Sequence, residues 1–111
     1  MEEQQGNLTQ EEIETIATSR TFEYQLAWPV EIGTMEPLTT VELTRFKGKQ
    51  IKAISKIKDA MEQGVKMVEL SANLTPLQVD EMDITDLTNL MEICSVFMDA
   101  SQTKRKQTIG N

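Results

Sequence analysis

The chain has 111 residues, of which 39% are hydrophobic, so it is long enough for one compact domain and too short for two. Its formal net charge of −7 disfavours binding to nucleic-acid phosphates or to an anionic membrane surface. The absence of histidine removes the commonest metal ligand and general base, and the single cysteine excludes an intramolecular disulfide.

Residues 1–20 are polar and rich in glutamate and glutamine. Thr9 and Glu12 have the spacing of a capping box that could start a short helix. Because this composition offers little apolar surface to bury, we predict a flexible acidic arm. The N-terminus lacks the basic and apolar regions of a signal peptide, and no apolar run is long enough for a membrane span, so we expect a cytoplasmic protein.

A β-hairpin is predicted over residues 22–46. In its first strand, apolar and polar residues alternate, and the apolar set is Phe22, Tyr24, Leu26 and Trp28. Pro29 cannot donate to a strand ladder, so the strand should end there or lie at an edge. The second strand, from about residue 38, is rich in β-branched residues. An isolated hairpin is marginal in water, so its aromatic face should pack on the helices that follow.

Two helices are predicted at about 49–62 and 65–71, separated by Gly64. The first has an apolar face made of Ile51, Ile54, Ile57 and Met61. The segment VKMVEL after Gly64 could also form a short strand, but its apolar spacing favours a helix.

Thr75, Pro76 and Gln78 form a capping box with proline at the first helical position, which predicts a short helix at about 76–81. Asp83 should cap a strongly amphipathic helix at about 84–99. Residues 101–111 show no periodicity and are predicted to be a flexible basic tail. The predicted fold is therefore α+β and mostly α, with an N-terminal β-hairpin packed on a small bundle of three to four helices and a single domain at 21–100.

No catalytic, metal or cofactor site is predicted, and the protein should not be an enzyme. Cys94 lies on the apolar face of the last helix and is interpreted as a core residue rather than a reactive thiol. Asp80 and Asp83 lie at helix starts, where capping explains their presence better than metal binding does. A stripe of lysines after Gly48 is interpreted as a solvated helix face rather than a nucleic-acid site, and it consists of Lys49, Lys52 and Lys56.

Seven methionines are many for a chain of this length, and their flexible thioethers suit surfaces that bind varied apolar partners. Most should nevertheless belong to the core. On amphipathicity alone, the candidate partner-binding residues are Trp28, Met91, Phe97 and Met98. Plain core packing is the competing interpretation of the same four residues.

Three segments taken in order, LAWPVEIG, VELTRFKGKQI and SANLTPLQVDEMDITDLTNLMEICSVFM, resemble the tail assembly chaperone family of Mu-like contractile-tailed phages over residues 22–98. The matching positions are Leu26, Pro29, Val41, Leu43, Arg45, Leu74, Thr75, Pro76, Asp83, Leu87 and Phe97. Lys47 departs from the pattern, since many members of the family have a proline there.

The resemblance implies a bacteriophage or prophage protein made in the host cytoplasm. Such a protein binds the long, apolar tape measure protein, keeps it soluble, helps to recruit tail-tube subunits and is absent from the mature virion. Direct contact with the tail-tube protein and self-association are further expectations. Two alternatives remain at this point: a structural subunit of a tail or baseplate, and a small acidic adaptor protein.

Overall fold

A computed structural model of the chain describes residues 8–110, with side chains described through residue 99. The elements in chain order are α1 (Gln10–Thr18), β1 (Thr21–Val30), β2 (Leu38–Thr44), α2 (Gly48–Ser55), α3 (Ala60–Ala72), α4 (Pro76–Asp80) and α5 (Ile84–Gly110). The predicted class is confirmed: the fold is α+β and mostly helical, with one hairpin near the N-terminus.

Strands β1 and β2 form the predicted antiparallel hairpin. Pairing is regular from Thr21 opposite Thr44 to Gln25 opposite Thr40, and it then becomes irregular until Val30 lies opposite Leu38. β1 therefore continues through Pro29, and the second of the two expectations for this proline holds, since each strand of a two-stranded sheet is an edge strand. The proline is tolerated because it lies in the irregular stretch, where the ladder requires no donor from it.

The prediction that Gly64 separates two helices is wrong. α2 ends at Ser55, and α3 begins at Ala60 because the Asp59 side chain accepts a hydrogen bond of 2.9 Å from the Glu62 N–H. Gly64 lies inside α3 and is buried. The segment that could have been a strand is thus helical, and only Ile54 of the predicted apolar face of the first helix is buried.

Gly64 is needed where α3 packs against α5. A Cβ atom at this position would lie 2.8 Å from the Met91 Sδ, which is closer than van der Waals contact allows. The glycine therefore lowers helix propensity but lets the Met91 side chain lie directly on the α3 backbone.

The flexible arm predicted for residues 1–20 is corrected over its second half, which forms α1. The predicted capping box is present, with reciprocal hydrogen bonds of 3.1 Å between Thr9 and Glu12. α1 packs against α5, and Ile16 is fully buried. Burial of this one isoleucine thus attaches α1 to α5, although the polar composition of residues 1–20 predicted little apolar burial. Residues 1–7 of the predicted arm lie outside the described residues.

The last helix also extends beyond its predicted boundary. α5 continues to Gly110, through most of the segment predicted to be a flexible tail. The stretch from Asp99 to Ile109 contains neither proline nor glycine, so nothing in the sequence ends the helix before Gly110.

A single apolar core joins the hairpin to α1, α3, α4 and α5. Its members are Ile16, Leu26, Val30, Val41, Leu43, Val68, Val79, Met82, Leu87, Leu90, Ile93, Cys94 and Phe97. α5 contributes the largest share, and α1, α3 and β1 pack on it, whereas β2, α2 and α4 pack on α3. Among the residues that the structure describes, no helix is long and apolar enough to cross a bilayer.

Candidate functional site at the junction of the hairpin and helix α5

A buried carboxylate, that of Asp86, joins the first turn of α5 to β1. Asp86 is fully buried, and the N–H groups of Ala27 and Trp28 donate to its Oδ1 and Oδ2, each at 2.9 Å. The Tyr24 hydroxyl donates to Oδ1 at 2.8 Å. These three donors compensate the carboxylate for the loss of water, and the N-terminal turn of the helix favours its negative charge.

Tyr24 extends this hydrogen-bond network to a second position on α5. Its hydroxyl accepts a hydrogen bond of 2.9 Å from the Asn89 Nδ2 while donating to Asp86. Burial, chiefly, raises the pKa of Tyr24 above its ordinary value of 10.0, and the neighbouring Asp86 contributes in the same direction. Tyr24 therefore stays neutral at physiological pH and keeps its proton for Asp86.

The network determines where the Trp28 side chain lies. In a regular strand, consecutive N–H groups point in opposite directions, but those of Ala27 and Trp28 both reach one carboxylate. The backbone is therefore irregular at this point, in agreement with the interrupted pairing between Gln25 and Val30. Leu26 and Val30 are buried, whereas Trp28 between them is 62% exposed. The buried aspartate thus fixes the backbone beneath an exposed tryptophan.

Further exposed apolar and acidic residues follow Trp28 in the connection between the two strands. Met35, in the turn between the strands, is 60% exposed, and Glu31 and Glu36 are exposed beside it in the chain. We call Trp28, Glu31, Met35 and Glu36 the tip surface. A tight turn with a hydrogen bond of 3.0 Å from the Met35 N–H to the Ile32 carbonyl, and with Gly33 at φ +54°, defines its outer end. Large exposed side chains beside fixed backbone are typical of binding surfaces.

The four predicted partner-binding residues do not form one surface. Trp28 is exposed as a binding residue should be, but Phe97 is only 1% exposed and lies in the core, with the Arg45 guanidinium 5.5 Å from its ring centroid. Phe97 is therefore corrected from a contact residue to a core residue. Met91 is partly buried against Gly64, and Met98 is also partly buried. Amphipathicity alone could not separate the core part of α5 from an accessible part.

Cys94 and Ser71 are structural residues. Burial raises the pKa of the Cys94 thiol from 9.0 to about 12, which leaves almost no thiolate at neutral pH. The Ser71 hydroxyl donates to the Thr44 carbonyl at 2.7 Å and accepts from the Thr44 N–H at 3.1 Å. Ser71 thus attaches α3 to β2, and its side chain also forms a hydrogen bond with the buried Cys94.

The other polar residues singled out from the sequence lie at helix ends or on a helix surface. The Asp83 carboxylate accepts a hydrogen bond of 2.9 Å from the Thr85 N–H at the start of α5, as the capping interpretation requires. Asp80 is exposed at the C-terminal end of α4 and not at a helix start, so the capping interpretation is wrong for this residue. The lysine stripe on and after α2 is exposed. Among the described residues, no group of three or more potential ligands could hold a metal ion.

Sequence reasoning missed the role of Asp86, although a signal was present. Asp86 interrupts the apolar face of α5, and capping by Asp83 already accounts for the acidic start of the helix. An acidic residue on a buried face requires donors from another element. The positions of those donors, two backbone N–H groups of an irregular strand, could not be read from side-chain patterns.

The sequence matches the family described as phage tail assembly chaperone proteins, E, or 41 or 14, over residues 23–99. The match covers more than half of the chain and includes the tip surface, the Asp86 network and all but the first two residues of the hairpin. The protein belongs to the phage tail assembly chaperone family, which confirms the resemblance seen in the sequence. Membership of a chaperone family points to a non-enzymatic role. Comparisons with curated proteins and with solved structures gave no match.

Proposed function

We propose that the protein binds the tape measure protein of its phage in the host cytoplasm, keeps it soluble and helps to recruit tail-tube subunits, without remaining in the mature virion. The observation that carries this proposal is the family match over residues 23–99. Tail assembly chaperones act before the tail is complete, so their partners are unassembled tail proteins.

The physical character of the chain supports this function. Six large hydrophobic residues are exposed on the described part of the chain, namely Trp28, Met35, Ile51, Met61, Leu77 and Ile84. Exposed apolar side chains can cover the apolar segments of an unassembled partner. The net charge of −7 opposes aggregation of the resulting complex. Binding through a few such residues is also weak enough for a tube subunit to displace the chaperone.

Co-expression tests the proposal. The tape measure protein of the same phage is produced with and without this chain, and its distribution between supernatant and pellet is measured. We expect the tape measure protein to move to the supernatant and to co-purify with the chain. Failure of the two proteins to co-purify contradicts the proposal. Recovery of the chain from purified virions would instead indicate the alternative, a structural subunit of the tail or baseplate.

A further inference from the structure

We propose that the tip surface is where the partner docks and that the docking segment is a helix carrying large apolar residues flanked by lysine or arginine. This inference rests on the proposed function and specifies the partner chemistry for it. The apolar part of the segment would cover Trp28 and Met35, and its cations would lie beside Glu31 and Glu36.

Charge complementarity supports a docking segment that carries lysine or arginine. Residues 21–44, which comprise the whole hairpin, contain four glutamates and no lysine or arginine. The neighbouring stretch from residue 67 to 99 contains seven acidic residues and no basic one. The cations are concentrated elsewhere, with six lysines between residues 47 and 66. A partner segment bearing cations is therefore attracted to the tip surface and repelled by α2.

The dimensions of the tip surface fit one helical segment. Trp28 and Met35 each lie within three residues of the Val30–Leu38 pair, so each backbone is within about 10 Å of that pair. A helix of about 14 residues is ~20 Å long and can contact both side chains from one face. An amphipathic helix that places its apolar face against apolar side chains is one of the recurring modes of peptide recognition.

Preorganisation distinguishes Trp28 from the other exposed apolar residues. Its N–H and that of Ala27 are held by the fully buried Asp86, so the backbone beneath the indole is fixed before the partner arrives. A tryptophan on fixed backbone loses little conformational entropy on binding, which is why such residues dominate interface energies. Met61 has a similar exposed fraction but lies at the start of α3, where the Asp59 cap accepts from the Glu62 N–H and not from that of Met61.

Capture of the tape measure protein by affinity-tagged variants of the full chain tests the inference. Met35→Ala and Met61→Ala form a matched pair, since the two methionines are 60% and 56% exposed. We expect Trp28→Ala to reduce capture at least tenfold and Met35→Ala to reduce it several-fold, whereas Met61→Ala should leave it within twofold of wild type. Urea unfolding of each variant checks that the fold is retained, as expected for exposed positions.

Charge reversal at the tip surface provides a second test of the inference. At low salt, the double variant Glu31→Lys/Glu36→Lys should capture at least tenfold less tape measure protein than the wild type does. Glu14→Lys changes an exposed residue of α1 and should not reduce capture. Capture by the wild type should weaken as sodium chloride rises, because the pairing ions are exposed. In the complex, hydrogen exchange should slow at residues 31–36 and remain unchanged in α2.

Each outcome is distinguishable. If the wild type captures the tape measure protein and the tip variants do so equally well, the docking surface is wrong and the proposed function stands. If the wild type captures nothing, both proposals fall. If the wild type is oligomeric in gel filtration and Trp28→Ala dissociates it without affecting capture, the tip surface belongs to a second copy and the inference is overturned.

Discussion

At the scale of single residues, buried polar groups do more to define this structure than its charged surface does. Asp86 receives donors from a tyrosine and from two consecutive backbone N–H groups. Ser71 likewise satisfies both backbone groups of Thr44. Each of these side chains joins a helix to a strand, so each fixes the relative position of two elements that apolar contacts alone would hold less specifically.

Replacing Asp86 by asparagine should destabilise the protein by about 2–3 kcal/mol, because an amide has one acceptor oxygen and would direct its own donors at buried N–H groups. Asp83→Asn is the matched control. It makes the same chemical change three residues away, where asparagine caps a helix as well as aspartate does, and it should change stability by less than about 0.5 kcal/mol. The free energy of unfolding in urea measures both, and equal effects would contradict the role given to Asp86.

The buried thiol predicts a specific loss of stability at alkaline pH. The pKa of Cys94 is raised from 9.0 to about 12 by folding, so its contribution is complete below pH 9 and is lost as the pH rises from 9 to about 12. The stability difference between wild type and Cys94→Ala should therefore shrink by up to about 1.4 kcal/mol per pH unit above pH 9. Urea unfolding at pH 8, 9, 10 and 11 measures this difference, and a constant difference would refute the burial argument.

At the scale of elements, the sequence was sufficient to predict helix starts where a side chain caps the backbone of its own segment. The capping boxes at Thr9 and Thr75 and the cap at Asp83 are all present as their spacing indicated. The sequence was not sufficient where a contact between residues far apart in the chain overrides the local conformational preference of one of them. Gly64 indicates a helix break in isolation, but contact with Met91 on α5 explains its presence within α3.

The contact between Gly64 and Met91 should appear as an energetic coupling. In the Met91→Ala background, Gly64→Ala should stabilise the protein by about 1 kcal/mol, which is the gain in helix propensity. In the wild type, the new Cβ must displace the thioether, so most of that gain should be lost. A double-mutant cycle from urea unfolding should give a coupling of at least about 0.5 kcal/mol.

Gly48→Ala serves as the control for this cycle. A Cβ atom at Gly48 would meet no other atom within 4 Å, and the residue lies at the start of α2. Its effect should be the same with and without Met91. If the effects of Gly64→Ala and Met91→Ala on stability are also additive, the Met91 side chain moves away from the new Cβ atom at no cost in free energy.

At the scale of the whole molecule, the uneven charge distribution was visible in the sequence, but its relation to exposed apolar surface was not. The hairpin was predicted to present an aromatic face to the helices, and Phe22 and Tyr24 do pack against the core. Trp28 does not, because its exposure depends on a backbone irregularity fixed by a residue nearly 60 positions away. The sequence therefore predicted the types of residue that form the candidate site, but not where in the fold they lie.

The matched family segment, residues 23–99, does not include α1, yet α1 is part of the folded molecule. Ile16→Ala should cost about 2–4 kcal/mol, since the residue is fully buried against α5. Ile13→Ala, one turn earlier at a partly exposed position, should cost less than about 1.5 kcal/mol. Thermal or urea unfolding distinguishes the two, and a small effect at both positions would mean that α1 contributes nothing to stability.

The attachment of Ser71 to β2 limits how an extended chain can bind at the edge of the hairpin. A two-stranded sheet has two outer edges, and unpaired backbone groups on such an edge can recruit a strand from another molecule. At Thr44 the outward N–H and carbonyl are both occupied by one serine hydroxyl. An extended segment of another molecule therefore finds no hydrogen-bonding partner at this position of the sheet. At Thr44, contact with such a segment is left to side chains, and the risk of shared β-aggregation there is reduced.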